Sequence, residues 1–215
     1  MKKLFKKIDN FFWGNMQNHY ARSLEKEVVR YKSLLDVGCG AYSPIKLFSN
    51  KMEYVVGVDI FEPSIEKSRA ARIHNDYKNV NVLELDKHFE PNSFDCVISS
   101  DLIEHLTKDD GNKLITMMEK IASKKVVIYT PNGFFPQSEF DGNKFQVHIS
   151  GWEIDEMQKK GYRVVGINGN KMFFGEFGKI RWKPKVFWGR IALMTQFYYE
   201  KNPKNAFGIM CIKDL

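Results

Sequence analysis

Apolar residues along this chain come in short unbroken runs from about Ser33 to Thr130, with helix-spaced segments between them. Leu34-Leu35-Asp36-Val37 ends at Gly38, and Tyr54-Val55-Val56-Gly57-Val58 ends at Asp59. Val80–Leu85, Phe94–Ser99 and Val126–Tyr129 repeat the pattern. Runs rich in β-branched residues, without polar alternation, fit strands covered on both faces, as in a parallel sheet. Pro44–Ser49, Pro63–His74 and Asp109–Ala122 carry helical spacing between those runs. Strand–helix–strand repetition at this interval predicts a doubly wound α/β sheet. A helix over Glu153–Lys160, a strand over Tyr162–Ile167 and a final strand over Phe207–Ile212 extend it.

Two flanking segments depart from this pattern. Residues 1–31 read as helix, with Leu4, Phe5, Ile8, Phe11 and Phe12 on a stripe opposite Lys2, Lys3, Lys6 and Lys7, the pattern of an interfacial helix. Residues 171–204 mix cations with large aromatics, notably Lys179, Arg181, Trp182, Lys183, Lys185, Phe187, Trp188 and Arg190. The formal charge of +7 belongs to these flanks: residues 1–32 hold eight basic and three acidic side chains, and 179–204 hold seven and one. The chain between them is net acidic.

A length of 215 residues with 43% hydrophobic content supplies a sizeable core and excludes disorder, collagen-like fibre and a disulfide-stapled miniprotein. Cys39, Cys96 and Cys211 are odd in number, far apart and without a CxxC spacing, so neither a zinc site nor a disulfide framework is expected. That usage points to a reducing, cytoplasmic compartment. Asp9 and Asn10 interrupt the N-terminal apolar stretch, leaving it too short for a secretory signal. No run approaches the ~20 apolar residues that cross a bilayer.

The chemistry-bearing segment is Leu34-Leu35-Asp36-Val37-Gly38-Cys39-Gly40. Glycines at the carboxyl end of a first strand let the backbone turn tightly and approach a ligand in the crevice of an α/β sheet. Asp59, 19 residues beyond Gly40, stands where a carboxylate accepts bonds from ribose hydroxyls. Together they predict a nucleoside ligand. A dinucleotide loop reads G-x-G-x-x-G, whereas Gly40 is followed by Ala41, Tyr42 and Ser43, so the third glycine is missing. Asp36, two residues before Gly38, would repel a diphosphate and attract a cation. These details favour S-adenosyl-L-methionine over NAD, and leave an NAD-dependent oxidoreductase as the weaker alternative.

The chain resembles the class I S-adenosylmethionine-dependent methyltransferases, in the broad group acting on small molecules. The resemblance runs from about Leu34 to Thr130 through LLDVGCG at 34–40, VVGVDI at 55–60, VLELD at 82–86 and FDCVISSDLIEHL at 94–106. It implies the class I methyltransferase fold, an α/β, doubly wound, Rossmann-like seven-stranded sheet whose last strand inserts antiparallel beside strand five's neighbour; the composition of the two flanks adds the expectation of helical N-terminal and C-terminal cap segments. It divides a single domain, 1–215, into a cap (1–31), a cofactor-binding core (32–168) and an aromatic, basic insertion with the last strand (169–215). By resemblance, Gly38 and Gly40 shape the loop under the methionine part, with Asp36 near its amino group. Asp59 holds the ribose hydroxyls and Ile60 lies against adenine. Asp86 accepts from the adenine amino group with the Lys87 backbone alongside, and Ser99 and Ser100 line the methionine end. Many relatives carry a further glycine where this chain has Ala41-Tyr42-Ser43-Pro44. Ser43 and Pro44 suit a helix start there, and Tyr42 is expected to edge the site.

Methyl transfer from a sulfonium needs proximity and a dry cavity more than a catalytic dyad. His105 and His148 are the candidate catalytic groups, as bases for an acceptor hydroxyl or amine or, on the blander reading, as packing residues. Glu104 beside His105 is a weak metal signature, and no metal is expected. Position 99–102 reads Ser-Ser-Asp-Leu, unlike the Asn/Asp-Pro-Pro-aromatic motif of DNA amino-methylating enzymes. The expected partner is a small-molecule or lipid-linked acceptor, anionic or amphiphilic, with the two flanks capping the pocket and touching a membrane peripherally. An RNA methyltransferase and a non-catalytic cofactor-binding protein remain the alternatives.

Overall fold

The computed structural model describes residues 18–139 and 144–215. Seven strands form one sheet: β1 (Ser33–Val37), β2 (Tyr54–Asp59), β3 (Asp76–Asn79), β4 (Phe94–Ser100), β5 (Ala122–Pro131), β6 (Arg163–Asn170) and β7 (Ala206–Asp214). Their spatial order is β3-β2-β1-β4-β5-β7-β6. The first five run parallel, and β7 pairs antiparallel with both β5 and β6. The chain walks outward from β1 to β3 and then returns to β1's other side. That reversal opens a crevice at the carboxyl ends of β1 and β4.

Period-two alternation on buried strands divides the core in two. Leu35, Val37, Val56, Val58, Val97, Val126 and Ile128 face one apolar cluster, with Leu114 and Met118 of α3 (Lys108–Ile121) and Trp152. Leu34, Val55, Cys96, Ile98, Val127 and Tyr129 face the other, with Leu24 and Val28 of α1 (His19–Val28). Both faces are covered, which is why these runs lack polar positions. α3 starts at Thr107, whose Oγ1 accepts from the Asp110 main-chain N–H at 3.1 Å, with Asp109 and Asp110 complementing the first turn.

Two expected elements differ. The third strand is Asp76–Asn79 rather than Val80–Leu85, and Val82–Lys87 forms 3-10 turns with Asn81 Oδ1 accepting from Leu83 N at 3.0 Å. Val82 and Leu85, three apart, both enter the core, so their spacing is that of a turn. The polar DYKN strand lies at the sheet edge, where burial does not demand apolar residues. The segment after the glycine loop forms two 3-10 pieces, Pro44–Leu47 and Ser49–Lys51, in place of one helix. α2 (Glu62–Ala70) overlaps the expected Pro63–His74 and ends four residues earlier, and α4 (Ile154–Lys159) falls within the expected Glu153–Lys160.

The apolar N-terminal stripe at Leu4–Phe12 lies outside the described residues. In the C-terminal flank, Phe173, Phe174 and Phe207 pack with Trp182 and Trp188, and α5 (Lys185–Tyr199) lies on β6. Buried Gln196 fastens it: Nε2 donates to Gly166 O at 2.9 Å, and Oε1 accepts from Gly169 N at 3.0 Å. Among the described residues no helix is long and apolar enough to cross a membrane.

Gly111 of α3 passes so close to the indole that an added Cβ would stand 2.4 Å from Trp152 Cζ2. Alanine normally stabilises a helix interior by about 1 kcal/mol over glycine. Here the enclosed indole has nowhere to move, so Gly111→Ala is expected to lower stability by roughly 1–3 kcal/mol in urea denaturation.

Candidate active site

The site begins where β1 runs out. Gly38 N and Cys39 N both donate to Val58 O, at 2.8 and 2.9 Å, drawing the glycine loop across the end of β2. Gly38 (φ 71°) and Gly40 (φ 56°) hold left-handed backbone. A Cβ on Gly38 would meet Leu102 at 2.8 Å, whereas Gly40 faces open space. Asp59 Oδ2 accepts from Gly40 N and Oδ1 from Phe61 N, each at 2.8 Å, so one carboxylate ties the loop to the start of α2. Burial raises its pKa, against the two main-chain N–H groups that favour the ionised form. Asp36 is enclosed beneath the loop, where its Oδ2 accepts from Ser43 Oγ at 2.6 Å and pairs with His74 Nε2 at 2.9 Å.

Above these residues lies a cavity of about 540 Å³, within the range typical of small-ligand sites. Following the sheet order, it extends from Asp59, Ile60 and Asn81–Leu83 beyond β2 and β3 to Ser100, Asp101 and His105 beyond β4. Phe145 and Gln146, from the β5–α4 connection, complete the wall on that side.

Most expected residues meet here: Asp36, Gly38, Gly40, Asp59, Ile60, Ser100 and His105 all line the cavity, as does Tyr42. Asp86 and Lys87 do not. Both are exposed at the end of the 3-10 turns, and Lys87 pairs with Glu84. The shift follows from the strand placement: with β3 ending at Asn79, the residues that reach the cavity are Asn81, Val82 and Leu83. Placing the strand on DYKN would have revealed Asn81 as the polar group at that edge. Ser99 is enclosed, and its Oγ has no partner among the described residues. No described residue of either flank lines the cavity, whose wall on the β4 side comes from the β5–α4 connection; the apolar N-terminal stripe of the expected cap lies outside the described residues. The C-terminal aromatics are occupied with one another.

At the β4 end the backbone turns sharply, with Asp101 in left-handed conformation (φ 49°) before a 3-10 turn over Ile103–His105. Residues 149–152 are strapped to that turn. Ile149 N and Ser150 N donate to Glu104 O at 2.9 and 3.1 Å, while Ser150 Oγ and Trp152 Nε1 donate to Ile103 O at 3.2 and 3.1 Å. The strap brings His148 against His105, with ring centroids 4.7 Å apart. Glu104 is enclosed behind them, its Oε2 accepting from Thr130 Oγ1 at 2.9 Å. Asp101 is reached by solvent through the cavity but ringed by protein; desolvation raises its pKa and that of Glu104, and the hydrogen bond between the two acids favours the ionised form of Asp101 while Asp101 disfavours ionisation of Glu104. Burial pushes the His105 imidazole down to about 4 and also lowers His148. Both rings are therefore neutral at pH 7.

Known proteins agree with this geometry. The family described as "Methyltransferase domain" matches residues 35–129. No curated protein sequence matches. Among solved structures, an S-adenosylmethionine-dependent methyltransferase from Archaeoglobus fulgidus is similar at 18% identity and TM-score 0.61, covering 98% of this chain and 99% of that one. The methyltransferase domain of bacterial CtHen1-CN is similar at 18% identity and TM-score 0.55, covering 94% and 99%. The [4+2]-cyclase SpnF is similar at 12% identity and TM-score 0.57, covering 91% and 80%. Such identities speak for the fold alone. With the family match over residues 35–129, the chain carries a methyltransferase domain, in the fold of solved S-adenosylmethionine-dependent methyltransferases. It is an enzyme that uses S-adenosyl-L-methionine.

The residues fit that cofactor: an acidic group at the tip of β2, an open glycine backbone and an apolar edge at Ile60, Val82 and Leu83. Asp59→Ala is expected to weaken S-adenosylhomocysteine binding tenfold or more in isothermal titration, since hydrogen bonds to a charged group contribute roughly 1.5–3 kcal/mol. Asp86→Ala should leave that affinity unchanged. In a histidine NMR titration, the His105 ring should keep its neutral-form shift well below pH 6.5, with a midpoint about 4. A midpoint near 6.5 would mean the ring is not enclosed as described.

Proposed function

We propose that the methyl acceptor is a small amphiphilic or lipid-like molecule whose reacting group enters the cavity beside Ser100, Asp101 and His105. The observation that carries this reading is the pair Tyr42 and Phe145. These rings line the cavity yet are 79% and 56% exposed, offering apolar surface at its rim. Unburied aromatic surface at a cavity mouth suits an acceptor that is partly apolar. Phe134 and Ile149, also exposed on the same connection, extend that character.

When bound, S-adenosyl-L-methionine supplies a methyl group already activated on a sulfonium. The chain's own task is then alignment and exclusion of water, effects that supply roughly 7–11 kcal/mol where geometry is well set. Asp59 would receive the ribose hydroxyls, Ile60 would pack on the base, and the Asn81–Leu83 segment would meet its polar edge. Asp36 holds Ser43 and His74 and so keeps the loop in shape for the methionine end.

The flanks belong to the same reading by a different route. α5 turns Phe187, Met194, Phe197 and Tyr198 outward, each more than half exposed, on a segment rich in lysine and arginine. That face suits peripheral contact with an anionic lipid surface away from the cavity. The chain is expected to co-sediment with vesicles containing anionic lipid and to remain in the supernatant with neutral ones. Equal recovery from both supernatants would remove the membrane part.

Incubation with methyl-labelled S-adenosylmethionine and a cell extract, followed by separation into lipid, RNA, protein and small-molecule fractions, tests the acceptor class. Label is expected in the lipid or small-molecule fraction. Label in RNA would overturn the proposal in favour of a nucleic-acid acceptor.

A further inference from the structure

Glu104, His105 and His148 converge at the β4 end of the cavity in a way that hydrogen bonding does not complete. Glu104 Oε1 has no hydrogen-bond partner among the described residues, although the side chain is enclosed. The neighbouring carboxyl of Asp101 raises the Glu104 pKa both by like charge and through a side-chain hydrogen bond that the two acids share only while Glu104 keeps its proton, so an ionised Glu104 leaves Oε1 to a cation. An acceptor left bare in the interior carries a desolvation cost of about 1–3 kcal/mol, more when charged, so the position suits a cation. The two histidines are oriented from behind. His105 Nδ1 lies 3.1 Å from Val147 O, and His148 Nδ1 lies 2.6 Å from Phe135 O. A carbonyl oxygen only accepts, so Nδ1 carries the hydrogen in each ring and Nε2 keeps the lone pair. Main-chain carbonyls hold metal-ligating imidazoles in this manner.

One ligand atom from each of the three residues lies within 4.8 Å of the others. Two atoms bound to one ion at about 2.1 Å stand at most ~4.2 Å apart. Binding therefore needs a modest contraction, within reach of side-chain adjustment at the cavity wall.

We propose that Glu104, His105 and His148 hold one divalent first-row transition-metal cation, and that this cation in turn binds an oxygen of the methyl acceptor. Only the second half rests on the methyl-transfer reading. Two nitrogens and one carboxylate oxygen suit manganese, iron, cobalt or zinc better than calcium or magnesium, which prefer oxygen. Three protein ligands leave coordination positions open. His105 lines the cavity, so those positions lie beside the space an acceptor would occupy. A hydroxyl oxygen on the cation gives up its proton more readily, and that proton passes to solvent water. The oxygen lone pair then forms the new bond to the methyl carbon as the methyl–sulfur bond breaks, its electron pair passing to sulfur so that S-adenosylhomocysteine leaves as a neutral thioether. The acceptor class becomes one bearing a hydroxyl, and a neighbouring second oxygen would fill another open position. The two rings are then ligands and not the bases expected from the sequence.

The test uses the untagged full-length chain after chelator treatment, titrated with manganese(II) alone and followed by electron paramagnetic resonance and calorimetry. One equivalent per chain is expected. Affinity should fall tenfold or more in His148→Ala and Glu104→Gln, both checked for an unchanged S-adenosylhomocysteine affinity. Substoichiometric manganese should also broaden the His105 and His148 ring resonances in the unmutated chain, which needs no variant to fold. Equal manganese affinity in the wild type and His148→Ala, or broadening elsewhere only, overturns the proposal. Binding of S-adenosylhomocysteine with no uptake of manganese defeats the metal site alone. Metal binding without S-adenosylhomocysteine defeats the methyl-transfer reading and leaves the site standing.

Discussion

Two successive carbonyls, of Ile103 and Glu104, accept four hydrogen bonds from residues 149–152. The arrangement at the β4 end of the cavity depends on this strap. It joins the turn after β4 to a segment more than forty positions later, and it anchors that segment with the fully buried Trp152 against Gly111. Without it the β5–α4 connection has no reason to lie over the crevice, and His148 has no reason to meet His105. Hydrogen bonds to carbonyls that are otherwise buried weigh more than their modest net worth, because unpaired groups there are costly.

The cavity has two halves governed by different physics. Around β1, β2 and β3 the main chain does the shaping. Left-handed glycines, the Val58 carbonyl and the Asp59 carboxylate set a loop that leaves its backbone open. Around β4 and β5 the side chains decide, with two carboxyls and two imidazoles desolvated together. The first half suits an invariant ligand, recognised by backbone and ribose contacts. The second half can vary with the acceptor, because its groups come from a connection not constrained by strand pairing.

The glycine loop and Asp59 were legible because their roles depend on local backbone and on position at strand ends, which a linear pattern carries. The cavity edge beyond β3 was placed several residues too late. Asp86 stands in the right company of apolar neighbours, yet β3 is a polar edge strand whose burial does not mark it. The apolar run that followed was a core-facing 3-10 turn. The aromatic flank also misled. Its tryptophans signal a covering segment equally well over a cavity or over the sheet's far end, and packing against β6 and β7 placed it at the latter.

By itself the sequence determined the order of strands and helices, the two-faced burial of the sheet and the glycine–aspartate pair at the ends of β1 and β2 that lines the cavity. Each is written in spacing over a few residues or in the period of one element. Only the tertiary structure decided that Asn81–Leu83 meets the cavity, that the C-terminal aromatic flank does not, and that Glu104, His105 and His148 form one group. Those outcomes depend on contacts between segments forty or more residues apart. Closing such loops is governed by chain entropy and by hydrogen bonds between distant carbonyls and amides, neither of which leaves a local mark on the sequence.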